Sequence, residues 1–160
     1  MKRLTFLFVF NIIALTLFAT DDDHPVLVAK GERNINKEAL NSFTRTFKNV
    51  KAVSWEKYQN LYLANFKLNN EQLTAIYDET GEYISTSRFV EFSELPLSVS
   101  MALDNKFDSF QKVGTVVEVS YPNYTVYFFT IETKTKYLRI KSTPDGDLCV
   151  TEKMKKPNIK

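Results

Sequence analysis

The chain has 160 residues, 44% of them hydrophobic, and its 21 Lys+Arg against 19 Asp+Glu give a net charge of +2. That length suits one domain with its own core, and so small a charge offers no global field for nucleic acid or an anionic membrane. One cysteine, Cys149, excludes an internal disulfide, and one histidine, His24, leaves no His/Cys cluster for zinc.

The N-terminus reads as an export signal. Lys2 and Arg3 precede a stretch from Leu4 to Phe18 broken only by Thr5, Asn11 and Thr16; Ala19 and then Asp21, Asp22 and Asp23 follow. A charged start, an apolar middle, a small residue and a polar exit are the parts of a secretory signal peptide. The apolar stretch is short of the roughly 20 residues of a spanning helix. Leu17, three before the cut, is larger than the ideal small residue, so an uncleaved anchor is the alternative reading. Residues 1–19 are therefore the expected signal, 20–34 an extended leader, 35–153 a folded domain and 154–160 a basic tail. Loss of Lys2 and Arg3 lowers the basic count to 19, equal to the acidic count. The expected location is periplasmic or secreted, with no membrane attachment beyond the signal.

Asn36 is a candidate N-cap, Glu38 suits a helix start, and Leu40, Phe43 and Phe47 recur at helical spacing. Strands follow over Val53–Tyr58, Leu61–Leu68, Gln72–Tyr77 and Glu82–Ser87, with Asp78–Gly81 as a hairpin turn. Pro96 then opens a second helix carrying Val99, Leu103, Phe107 and Phe110. Strands Thr115–Tyr121, Tyr124–Ile131, Lys136–Lys141 and Asp147–Thr151 complete the chain, with turns at Pro122-Asn123 and Pro144–Gly146. Short connections make neighbouring strands antiparallel.

The second half reads as a copy of the first. At an offset of 63, Ala39 falls on Ala102, Phe47 on Phe110, Tyr58 on Tyr121, Asn60 on Asn123 and Phe66 on Phe129; at 65, Gly81 falls on Gly146. The expected fold class is thus α+β: a tandem repeat of a helix and a four-stranded antiparallel meander, with the helices packed on one sheet face. Repeat one spans 35–90 and repeat two 91–153.

The segments FKNVKAVSWEKYQNLYLANF and AIYDETGEYISTSRFVEFSELP resemble the PepSY-like family of exported Bacteroidota-type proteins, related to the β-lactamase-inhibitor-protein fold. Phe47, Val50, Trp55, Phe66, the Tyr77-Asp78…Gly81 hairpin and Leu95-Pro96 carry the likeness, over residues 36–152. The resemblance implies a tandem-repeat α/β domain outside the cytoplasm and a binding or inhibitor-like role. These motifs specify a fold rather than chemistry, and no inhibitor loop carries across.

Catalytic machinery is not legible. His24 lies in the leader, and a Ser-His-Asp or Cys-His device would need it to reach a site from there. Cys149 aligns with Ile84, which makes it an expected buried core residue. Asp145-Gly146-Asp147 lacks the spaced ligands of a calcium loop, and a copper-binding N-terminus through His24 would need cleavage after Asp21. No enzyme activity, cofactor or metal site is expected.

The remaining signal is aromatic. Placing Phe129 inward sends Phe128 to the opposite sheet face, with Val126 and Tyr124 beside it and Leu61 and Leu63 from the first half. Trp55 breaks the repeat by aligning with Glu118, and Tyr58 and Tyr121 flank the turns. Trp55, Tyr58, Leu61, Leu63, Tyr121, Tyr124, Val126 and Phe128 are the candidate binding residues, for a protein or peptide partner and not for nucleic acid. Closure of a homodimer through the same face is the alternative.

Overall fold

The computed structural model describes residues 35–48, 50 and 52–156. The expected signal peptide, the leader with His24, and the last four residues lie outside the described residues.

Helix α1 (Lys37–Thr46) starts where sequence chemistry places it. The Asn36 side chain accepts from the Glu38 N–H at 2.7 Å, and Glu38 sits in the positive first turn. Strands β1 (Val53–Tyr58), β2 (Leu61–Leu68), β3 (Glu71–Tyr77) and β4 (Tyr83–Val90) follow, then a 3₁₀ turn (Phe92–Glu94) and α2 (Leu97–Lys106), N-capped by Pro96. Strands β5 (Gln111–Ser120), β6 (Thr125–Glu132), β7 (Lys136–Ser142) and β8 (Leu148–Lys155) end the fold. Phe110, expected on the second helix, lies beyond it, directly before β5.

The eight strands form one antiparallel sheet in the order β1 to β8. This corrects the expected tandem repeat of helix-plus-four-strand units. The described residues are mostly one continuous eight-stranded sheet carrying two short helices, ten residues each. The physical reason lies at β4 and β5, which pair from Thr86↔Ser120 to Val90↔Val116. A meander closed after β4 would leave that strand as an edge with a row of unpaired N–H and C=O groups; pairing with β5 satisfies them. The two halves also differ in detail. β5 has ten residues and a register shift between Val113 and Val117, whereas β1 has six and runs in register throughout.

Pairing fixes the faces. The register Phe66↔Leu73, Leu73↔Arg88, Arg88↔Glu118 and Glu118↔Tyr127 places all five side chains on one side of the sheet. Both helices cover that side. Phe43 of α1 packs edge-on against Trp55 and Phe66, at centroid distances of 5.6 and 5.0 Å. Val99 and Leu103 of α2 are buried with Phe129, Ile131 and Ile140. Between the two clusters Arg88 forks onto Glu118, with Nε–Oε1 at 3.0 Å and Nη2–Oε2 at 3.3 Å, and reaches Glu71 at 2.7 Å.

Cys149 corrects another expectation: it is exposed. Its neighbours Leu148 and Val150 point to the helix-side core, so alternation turns Cys149 outward on the edge strand β8, where only one neighbouring strand exists. Lys153 and Lys155 sit on the same strand, exposed, and charged side chains of this kind discourage edge-to-edge pairing.

Candidate docking face

The sheet face opposite the helices holds a separate apolar cluster: Leu61, Leu63, Ile76, Val117, Val119, Val126 and Phe128, all buried, with Tyr58, Ile84 and Tyr121 packed against it. Alternation along β6 does the sorting. Tyr127, Phe129 and Ile131 go to the helices, while Val126 and Phe128 go to the far face. The cluster crowds the end of the sheet where the hairpins turn. Leu61 follows the Gln59-Asn60 turn, Ile76 precedes the Asp78–Glu82 turn, and Val119 and Val126 flank residues 121–124.

At that end Tyr121 and Tyr124 stack nearly parallel, with centroids 4.5 Å apart and an interplanar angle of 16°. The Tyr121 N–H donates to the Tyr124 carbonyl at 2.8 Å, which closes the turn and sets the two rings side by side. Tyr124 is 52% exposed and forms a rim. Burial first, and the neighbouring Tyr124 second, push the Tyr121 hydroxyl above the usual phenol range. Phe89, 49% exposed, lies on the same face, because it pairs with Val117.

A polar row crosses the centre. Thr74 Oγ1 donates to Asn65 Oδ1 at 2.7 Å, and Asn65 Nδ2 donates to Glu56 Oε1 at 3.2 Å. Ser87 pairs with Thr74 on this face and Ser85 pairs with Ile76. The Ser85 hydroxyl is fully buried and has no hydrogen-bond partner among the described residues. Toward the β8 edge the row Val117–Phe128–Lys141–Cys149 passes through a cation and ends in a thiol. Burial lowers the affinity of the Lys141 amine for its proton, and the adjacent Cys149 works in the opposite direction.

Of the candidate residues, Tyr58, Leu61, Leu63, Tyr121, Val126 and Phe128 come together in this cluster, with Tyr124 at its rim. Trp55 does not join them. It lies on the helix side, buried between Phe43 and Tyr77. Sequence reasoning missed Ile76, Val117 and Val119. Their period-two spacing carries the signal, but only pairing with β2 and β6 shows that they belong to the same face.

Among the described residues no group of three His, Cys, Asp or Glu could hold a metal ion, and no helix is long and apolar enough to cross a membrane. A cleft of about 270 Å³ lies between Ser109–Gln111, the Glu132–Lys134 turn and Lys156. It is lined by the Lys156–Glu132 ion pair, 2.5 Å long, and by hydroxyls.

No family model matches the chain, and no curated protein matches it. Solved structures do. A DUF2874 family protein from Bacteroides uniformis aligns over 74% of this chain and 89% of its own, at 15% identity and a TM-score of 0.65. A BLIP-like protein from Bacteroides fragilis aligns over 78% and 90%, at 17% identity and 0.64. A candidate periplasmic protein from Bacteroides eggerthii aligns over 74% and 88%, at 15% and 0.62. At these identities the likeness establishes the fold alone: the chain shares the architecture of BLIP-like proteins from Bacteroides.

Proposed function

We propose that this chain is an exported, non-enzymatic binding module that takes up a protein or peptide on the sheet face opposite its helices. The observation that carries the reading is the apolar cluster around Val119, Val126 and Phe128 on the face the helices leave to one side, rimmed by the Tyr121–Tyr124 stack. The cluster itself is buried, and the groups this face offers to a partner are the large aromatics Phe89, 49% exposed, and Tyr124, 52% exposed. Exposed aromatics with an amphipathic rim are the composition of an interaction site. The fold it shares with a BLIP-like protein and with a candidate periplasmic protein supports placement outside the cytoplasm. The segment from Phe47 to Leu95-Pro96 supports kinship with the PepSY-like family.

The test is partner capture from the source cell's periplasm with three forms of the domain. They are the native chain, a Tyr124→Ser/Phe89→Ser variant on the proposed face, and a Leu97→Ser/Met101→Ser variant on the exposed side of α2. A partner held by the native and α2 forms and lost by the face variant supports the reading. Equal capture by all three removes the face from the function. Homodimerisation through this face would show as concentration-dependent mass in sedimentation, abolished by the face variant alone.

A further inference from the structure

We infer that β1 is a self-pairing edge: two copies of this chain join antiparallel along Val53–Lys57, with Trp55 of one opposite Trp55 of the other.

The two edges of the sheet are built differently. β8 carries the exposed Lys153 and Lys155 and a register shift between Arg139 and Ile140. Like charges and a bulge are devices that keep an edge from pairing. β1 has neither. Its six residues pair with β2 without a shift, and none is proline. Its charged side chains lean back over the sheet rather than out from it. Glu56 Oε1 accepts from Asn65 Nδ2 at 3.2 Å, and Lys57 Nζ sits over the Tyr62 ring, 5.4 Å from its centroid. Asn65 and Tyr62 both belong to β2. Ser54, Glu56 and Lys57 are exposed, and β1 has one neighbouring strand.

Backbone direction sets which groups the edge offers. Tyr58↔Leu61 closes a two-residue turn, and such a turn closes on a hydrogen-bonded pair. Tyr58, Glu56 and Ser54 therefore turn their N–H and C=O groups to β2. Alternation directs those of Val53, Trp55 and Lys57 out of the sheet.

Two-fold symmetry then selects the register. Residues opposite each other in an antiparallel pair share a face, so the axis passes through a residue and not between two. Centred on Glu56, it opposes two carboxylates in the closer, non-hydrogen-bonded kind of pair; centred on Lys57, it opposes two ammonium groups. Centred on Ser54, it leaves Lys57 beyond the start of the second copy's strand. Centred on Trp55, the outward N–H groups of Val53, Trp55 and Lys57 each meet a carbonyl of the second copy. Lys57 then lies opposite Val53, and Ser54 lies opposite Glu56 on both sides of the axis. The Ser54 hydroxyl can donate to the Glu56 carboxylate of the second copy. That carboxylate is already oriented by Asn65, whose Oδ1 accepts from Thr74 Oγ1 at 2.7 Å. No like charges are directly opposed, and every contact is made twice. Six residues a side bury less than the about 800 Å² per partner of a standard interface, so the association is reversible.

The experiment is sedimentation equilibrium of the exported chain from about 10 μM to about 1 mM, the range of weak association. The native chain should pass from monomer to dimer mass. Ser54→Lys sets an opposite charge against Glu56 at both places and should tighten the dimer several-fold. Ser54→Glu sets like charges there and should abolish it. Ser54 is exposed, so both variants are expected to fold, which thermal unfolding at the lowest concentration checks. A native chain that stays monomeric at the highest concentration overturns the inference, whether or not a strand of another protein pairs with this edge. So does a dimer that responds to neither charge, or one lost only in the Tyr124→Ser/Phe89→Ser variant, which would place the association on the face opposite the helices. The measurement uses no partner, so its outcome is separate from that of the capture experiment.

Discussion

Gly81 packs directly beneath the first turn of α1: a Cβ built on it would lie 2.5 Å from the Ala39 nitrogen and 2.6 Å from the Glu38 Cβ. Its φ of 88° is in the left-handed region that side chains disfavour. Both effects oppose any larger residue. Gly81→Ala is expected to cost about 2–5 kcal/mol, combining left-handed strain with overpacking. Gly114, with φ 69° and nothing within 4 Å of its added Cβ, isolates the first effect; Gly114→Ala is expected to cost about 1 kcal/mol. Urea midpoints of the two variants check the difference, and equal costs would remove the helix contact from the account.

Phe128 and Tyr124 lie on the same face but separate structure from surface. Phe128 is 4% exposed and Tyr124 52%. Phe128→Ala is expected to cost about 3–5 kcal/mol. Tyr124→Ser loses only part of a stacked pair, no more than about 1.5 kcal/mol. Thermal unfolding of both variants decides, and it shows why the exposed residues are the proper probes of binding.

The Tyr77 hydroxyl is buried among Trp55 and Tyr83 with no hydrogen-bond partner among the described residues. A buried, unpaired hydroxyl is a cost carried by the folded state. Tyr77→Phe keeps the ring and removes the cost, so a gain of about 1 kcal/mol is expected. A loss of stability on denaturant titration would contradict this.

Alkaline pH should unfold the domain. Burial is the largest cause raising the hydroxyls of Tyr77, Tyr83, Tyr121 and Tyr127 above the ordinary phenol value of 10.0. A raised folded value favours the neutral form in the native state. The stabilisation is complete below pH of about 10 and is lost as pH climbs through the folded values. Absorbance at the tyrosinate band should therefore rise in two stages, the second coinciding with loss of near-ultraviolet dichroism. A single stage completed before unfolding would contradict the assignment.

The Cys149 thiol should react with a disulfide reagent in the native protein, at a stoichiometry of one and without denaturant, because it faces outward on the edge strand. Reaction only after unfolding would place it inside.

Local chemistry determined much of this protein. Asn36 and Pro96 mark where the helices begin. Gly81 and Gly146 supply positive φ in their turns. Alternation alone divides Phe128 from Phe129, because a strand turns successive side chains to opposite faces whatever the rest of the chain does. These signals extend over a few residues, and the sequence carries them in full. Tertiary structure decided what lies beyond that range. The pairing of β4 with β5 made one sheet where the internal matches suggested two units. It depends on hydrogen bonds between backbones, which every residue except proline can donate and which therefore leave no mark in the residue types. The same holds for Cys149 and Trp55. Their period-two positions were readable, but whether a face is covered depends on which strand lies at the edge and where the helices settle. That is set by packing between segments distant in sequence.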